Sequence, residues 1–243
     1  MTQPNVLILG IGNLLWADEG FGVRAVESLK RHYKFDGNVT VMDGGTQGIY
    51  LVQNIREADI LVVFDAVDYG LTGGTLKLVH GDEVPKFLGA KKVSLHQTGF
   101  QEVLAMAEML GDYPEHLLLI GVQPVLLEDY GGSLSSEVKA QMQPAINTAL
   151  DYLASHGVTF ERKEIPDQPD TVRAGAIADM DLYEAGRPTV DQARRDGDDR
   201  VLNSSAYDVS YRPVPIEGGG MGVGLDQHLD KYRSTTNPSE EKC

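Results

Sequence analysis

The runs ILVVFD at residues 60–65 and LLLIGV at 117–122 stay apolar through to their last positions. An apolar run of that length, without polar alternation, is expected of a strand covered on both faces. Such strands require helices on both sides of the sheet and therefore point to parallel pairing. NVLIL at 5–9 and VTVM at 39–42 are shorter runs rich in β-branched residues, whereas TLKLV at 75–79 alternates and reads as a strand with one wetter face.

Helical stripes fall between these runs. Residues 20–33 place Val23, Val26, Leu29 and Tyr33 on one face. Residues 99–110 place Phe100, Val103, Leu104 and Ala107 at helical spacing, behind a capping box formed by Thr98 and Gln101. Residues 135–154 carry Val138, Met142, Ala145, Ile146, Ala149 and Leu153, with a kink expected at Pro144. The pattern predicts an α/β fold: a three-layer α/β/α sandwich around a mostly parallel five-stranded sheet, with room for one antiparallel edge strand at 75–79.

Composition changes after SHG at 155–157. The last 87 residues hold 11 Lys/Arg and 17 Asp/Glu, and their apolar runs are short. The expected organisation is therefore a domain over 1–156 and an acidic, weakly ordered extension over 157–243. The net charge of −15 argues against nucleic acid as a partner, because a phosphate backbone needs clustered Lys and Arg. No apolar stretch has the length of a membrane span, and no basic, apolar leader opens the chain, so a cytoplasmic protein without membrane insertion is expected. The only cysteine is Cys243, which rules out an internal disulfide framework and a thiolate metal cage.

In a parallel sheet, ligands gather beyond the carboxyl ends of the strands. Four chemically able groups fall there: Glu19 after the first strand, Asp43 after the second, Asp65 closing the third, and His96 ahead of the 99–110 helix. Each alone has an ordinary structural role as a cap, turn or loop residue. Together, two carboxylates and one imidazole make a donor set suited to Zn²⁺, Ni²⁺ or a similar divalent ion, with positions left open for a substrate. The Gly-x-Gly of GIGNLL also suggests a dinucleotide turn, but Leu15 stands at the third glycine position. Asp18 and Glu19 occupy the region a pyrophosphate would need. Like charges that close would cost several kcal/mol at an effective dielectric of roughly 20. The chain shows no Gly-x-Ser-x-Gly elbow, His-Glu-x-x-His helix or Walker loop.

Five segments, GIGNLLWADEGFGVR, DGGTQG, LVVFDAVDYG, SLHQTGFQEVL and GVQP, occur in an order that resembles the hydrogenase maturation proteases. The resemblance runs from about residue 5 to about residue 155. Trp16 and DYGGSLS at 129–135 are similar to the uptake-hydrogenase branch. The resemblance implies an endopeptidase that removes the C-terminal peptide of the [NiFe]-hydrogenase large-subunit precursor once nickel is inserted. It implies Glu19, Asp65 and His96 as metal ligands and a functional role for Asp43, the candidate general base. It implies nickel carried by the substrate as the metal, with Zn or Cd able to occupy the site in vitro, and a monomeric core. The alternative is a non-catalytic, nickel-dependent assembly factor for the same subunit.

Overall fold

The computed structural model describes residues 3–85, 95–168, 177 and 179–187, without the side chains of 95–99. The chain divides into two units, Met1–Thr189 and Val190–Cys243, and every described residue belongs to the first.

In chain order the elements begin with β1 (Val6–Ile11), α1 (Phe21–His32), β2 (Tyr33–Phe35), β3 (Val39–Gly45), α2 (Val52–Arg56) and β4 (Ile60–Ala66). They continue with β5 (Leu76–His80), α3 (Leu95–Met109), β6 (His116–Val122), α4 (Ser136–Lys139), α5 (Met142–Ser155), β7 (Phe160–Arg162) and α6 (Met180–Ala185). Short 3-10 turns at Ala17–Gly20 and Gly48–Leu51 lead into α1 and α2. Five strands form one sheet in the order β3-β1-β4-β6-β5. Its neighbours are parallel except β5, which runs antiparallel to β6 at the edge. The three-layer sandwich and its antiparallel edge are those the apolar runs predict.

The two-residue period of a strand divides the core between the layers. Val6, Ile8, Val62 and Ile120 pack with Val26 and Leu29 of α1 and with Ile146 and Ala149 of α5. Leu7, Leu9, Val63 and Leu119 pack on the other side with Ile55 of α2 and with Phe100, Val103 and Leu104 of α3. The helix α1 lies unusually close to the sheet because Gly10 and Gly22 face each other. A methyl group on either would overlap backbone of the other layer.

Two local expectations are corrected. The helix containing Thr98 begins at Leu95, so Thr98 and Gln101 lie inside α3 rather than capping it, and His96 is in its first turn. The predicted 135–154 helix is two helices, separated at Ala140–Gln141, and Pro144 stands in the first turn of α5, where its missing N–H costs nothing. Residues beyond 156, where the composition changes, also belong to the first unit: β7 pairs antiparallel with β2, and Lys163 Nζ donates to the Lys30 carbonyl at 2.7 Å. The remainder of the predicted extension, 190–243, lies outside the described residues.

Candidate active site

The carboxyl ends of β1, β3, β4 and β6 converge on one rim, and the register fixes what stands there. Gly10 on β1 pairs with Asp43 on β3 and with Phe64 on β4. Asp65 follows Phe64 and pairs with Gly121 on β6. At a strand spacing of about 4.8 Å, Asp43 and Asp65 lie roughly 10 Å apart across β1.

Asp65 is 1% exposed. Beside it, the Tyr69 phenol is pushed far above its usual value by burial and, secondarily, by the charge of Asp65. Gly121 makes room for that ring, since a methyl group there would overlap the Tyr69 hydroxyl. Gln123 fixes the same loop: its Oε1 accepts from the Tyr69 and Leu71 N–H groups at 2.7 and 3.1 Å, and its Nε2 donates to Asp68 at 2.9 Å. The glutamine of GVQP is thus a loop organiser, a role its place in the motif does not announce.

Glu19 sits in the 3-10 turn between β1 and α1, half-buried, and this turn packs against β4. The turn is held tightly. Asn13 N donates to the Glu19 carbonyl at 3.1 Å, and Glu19 N donates to the Trp16 carbonyl at 2.9 Å. Gly12, at φ +136°, comes so close to the Glu19 carbonyl that a methyl group would overlap its oxygen. Ala17 takes φ +39°, the one non-glycine residue among those described with a positive φ, which places local strain two residues before Glu19.

Its neighbour Asp18 has a different role, which the sequence does not distinguish. Asp18 is fully buried and accepts four hydrogen bonds. Val125 N and Leu126 N each donate to Oδ2 at 2.8 Å, and Ser135 donates from N to Oδ1 at 2.6 Å and from Oγ to Oδ2 at 2.9 Å. Of the two adjacent acids, Asp18 clamps a distant loop, whereas Glu19 is half-buried in the turn that packs against β4.

Asp43 is exposed and accepts a 2.8 Å hydrogen bond from Gly45 N. Although its side chain reaches solvent, partial burial raises its carboxyl above the usual 3.8, opposed by the Gly45 hydrogen bond and helped by the charge of Glu27 on α1. The loop is tied to β1 by Gly12 N donating to the Gly45 carbonyl at 3.0 Å.

The structure therefore brings the strand ends bearing Asp43 and Asp65, and the turn bearing Glu19, to one edge of the sheet, with Asp43 in register with Phe64 on the α1 face and Asp65, one residue further, on the opposite face. The backbone of His96 lies in the first turn of α3, and its ring lies outside the described residues. Among the described residues, no three His, Cys, Asp or Glu groups gather closely enough to hold an ion. Glu19 and Asp65 supply oxygen donors on adjacent elements, a chemistry that suits a divalent ion completed by further ligands. Around them Trp16, Leu71, Val125, Leu126 and Tyr130 are exposed, an apolar border of the kind that marks a protein-binding surface. No helix among the described residues is long and apolar enough to cross a membrane.

The family model for hydrogenase maturation protease matches residues 23–152. The hydrogenase expression/formation protein HupD of Thiocapsa roseopersicina is 62% identical over 203 residues, covering 84% of this chain and 92% of the relative. A match of 203 residues in a 243-residue chain takes in α6 wherever it begins. The hydrogenase 2 maturation protease of Escherichia coli K12 is 38% identical over 164 residues, covering 67% of this chain and 99% of that protein. The solved structure of the hydrogenase maturating endopeptidase HybD from E. coli superposes with a TM-score of 0.62 at 36% identity, covering 67% of this chain and 97% of that one. The strand-end acids, the sheet order and these likenesses lead to one assignment: the chain belongs to the hydrogenase maturation protease family.

Proposed function

We propose that this chain is an endopeptidase that removes the C-terminal peptide of the [NiFe]-hydrogenase large-subunit precursor after nickel insertion, and that it reads the nickel carried by that substrate. The observation that carries the proposal is the placement of Glu19 beside the carboxyl end of β4, where Asp65 is buried, with an exposed apolar border around them.

On this reading Glu19, Asp65 and His96 complete the coordination of an ion that the precursor already holds. Two carboxylates and one imidazole are harder donors than thiolates, so they sense the ion without stripping it from a sulfur-rich site. Zn or Cd would be able to occupy the same oxygen and nitrogen donors in vitro. Binding energy from that coordination is available only when the ion is present, which makes cleavage conditional on loading. The scissile peptide lies along the rim toward Asp43. There the Asp43 carboxylate takes a proton from water as the hydroxyl oxygen adds to the peptide carbonyl, and the proton passes to the departing amine as the C–N bond breaks.

Incubating the full chain with nickel-loaded precursor and measuring the mass of the subunit tests the proposal. Loss of a C-terminal peptide is the expected result. An unchanged mass with stable co-purification would instead identify a non-catalytic assembly factor.

A further inference from the structure

The turn bearing Glu19 is held by a loop that is itself held from the far end of the described chain. Trp16 forms backbone bridges with Tyr130 and Gly132, and Gly131 N donates to the Leu15 carbonyl at 2.7 Å. Ser135, at the start of α4, makes two of the four hydrogen bonds to Asp18. Residues 129–135 thus grip the turn on both sides, at positions 15–16 and 18.

That loop rests on α6 and the residue pair that follows it. Glu184 accepts from Ser133 Oγ at 2.7 Å and from Lys139 Nζ at 2.9 Å on each carboxylate oxygen. Arg187 donates to Asp129 Oδ1 at 2.7 Å. The helix α6 is in turn seated on α1: Arg24 donates to the Ile177 carbonyl at 2.7 Å and lies 5.1 Å from the centre of the Tyr183 ring. Asp179 caps α6 by accepting from Leu182 N at 3.0 Å. A six-residue helix has no independent stability in water, so these contacts have to hold it.

We infer that Glu184 and Arg187 are positioning residues: α6 is a brace that sets the 129–135 loop, and through Asp18 and Trp16 it sets Glu19. This inference rests on the reading of Glu19 as a ligand to substrate-borne nickel. It adds that residues 177–187 act on the reaction without touching the substrate. A misplacement of the ligand by about 1 Å is enough to cost a large factor in rate.

Trp16 is the chain's single tryptophan and is 37% exposed, with its ring edge-on to Tyr130 at 5.4 Å between centroids. Its emission therefore reports the geometry of this loop directly, without reference to activity. In the full-length protein, Glu184→Ala is expected to change Trp16 emission and to lower turnover of nickel-loaded precursor roughly tenfold or more, with KM within about twofold of wild type. Glu184→Gln keeps one acceptor oxygen and is expected to restore part of both signals. Asp167→Ala removes an ion pair with Lys163 remote from the 129–135 loop, and it is expected to leave both signals as in wild type. Unchanged turnover in Glu184→Ala, or lowered turnover with unchanged Trp16 emission, overturns the brace. If the wild-type chain cleaves no precursor, the protease reading fails, and an emission change in Glu184→Ala but not in Asp167→Ala alone decides the brace.

Discussion

Asp18 and Ser135, 117 residues apart in sequence, are joined by two hydrogen bonds, from the Ser135 N–H at 2.6 Å and from its hydroxyl at 2.9 Å. The carboxylate that receives them is fully buried and is also the anchor for Val125 and Leu126. Replacing Asp18 with alanine would leave these donors without their acceptor. The expected loss is at least about 3 kcal/mol, read as a lower denaturation midpoint in urea with the slope unchanged. Glu19→Gln is expected to leave that midpoint near wild type and to abolish cleavage instead. The two adjacent acids are thus separable by one stability measurement and one activity measurement.

Gly12→Ala provides an independent test of the turn. At φ +136° an alanine is strained, and its methyl group overlaps the Glu19 carbonyl. We expect a loss of about 2 kcal/mol or more and impaired processing, because the turn that presents Glu19 has to move.

Much of this architecture is legible in the sequence, for a physical reason. Strands β1 and β4 are buried along their entire length, so residues such as Leu61, Val62 and Val63 carry no polar alternation and announce a two-sided burial. The edge strand β5 does have one wetter face, but in the opposite phase to its sequence alternation: Leu78 is exposed and Val79 is buried. The strand-end positions of Glu19, Asp43 and Asp65 follow from those assignments. The pairing of β2 with β7 does not, because three-residue strands separated by more than a hundred residues have no periodicity to read. The difference between Asp18 and Glu19 is also invisible in sequence, since it depends on which N–H groups a distant loop presents. The break between α4 and α5 is a further case: the apolar stripe continues through Val138, Met142 and Ala145 although the helix stops at Lys139.

The raised carboxyl of Asp43 sets a pH expectation. An acid whose value lies above 3.8 loses its base form earlier as pH falls. If Asp43 accepts the proton from water, the acid limb of kcat should therefore lie above pH 3.8, and Asp43→Asn should remove most of the rate at every pH. A folded Asp43→Asn protein with the wild-type profile would assign the base role to another group.

The Lys139–Glu184 pair has the opposite sign. Hydrogen bonds from Lys139 and Ser133 hold the Glu184 carboxyl below its usual 4.5. A depressed value contributes stability that is fully present above pH 4.5 and is lost as pH falls through the lowered value. With side chains 40% and 34% exposed, the pair is worth less than about 1 kcal/mol and weakens with salt. The expected signature is a small, salt-sensitive drop in stability on acidification in wild type, smaller in Glu184→Gln.

On the proposed reading, Glu19, Asp65 and His96 read the metal in the substrate. The most direct test is a single-turnover comparison of nickel-loaded and nickel-free precursor, with wild type and with Asp65→Asn, following the mass of the large subunit over time. Rapid loss of the C-terminal peptide is expected only for loaded precursor with wild type, with no cleavage of either form by a folded Asp65→Asn protein. Equal wild-type rates on loaded and nickel-free precursor would contradict that reading.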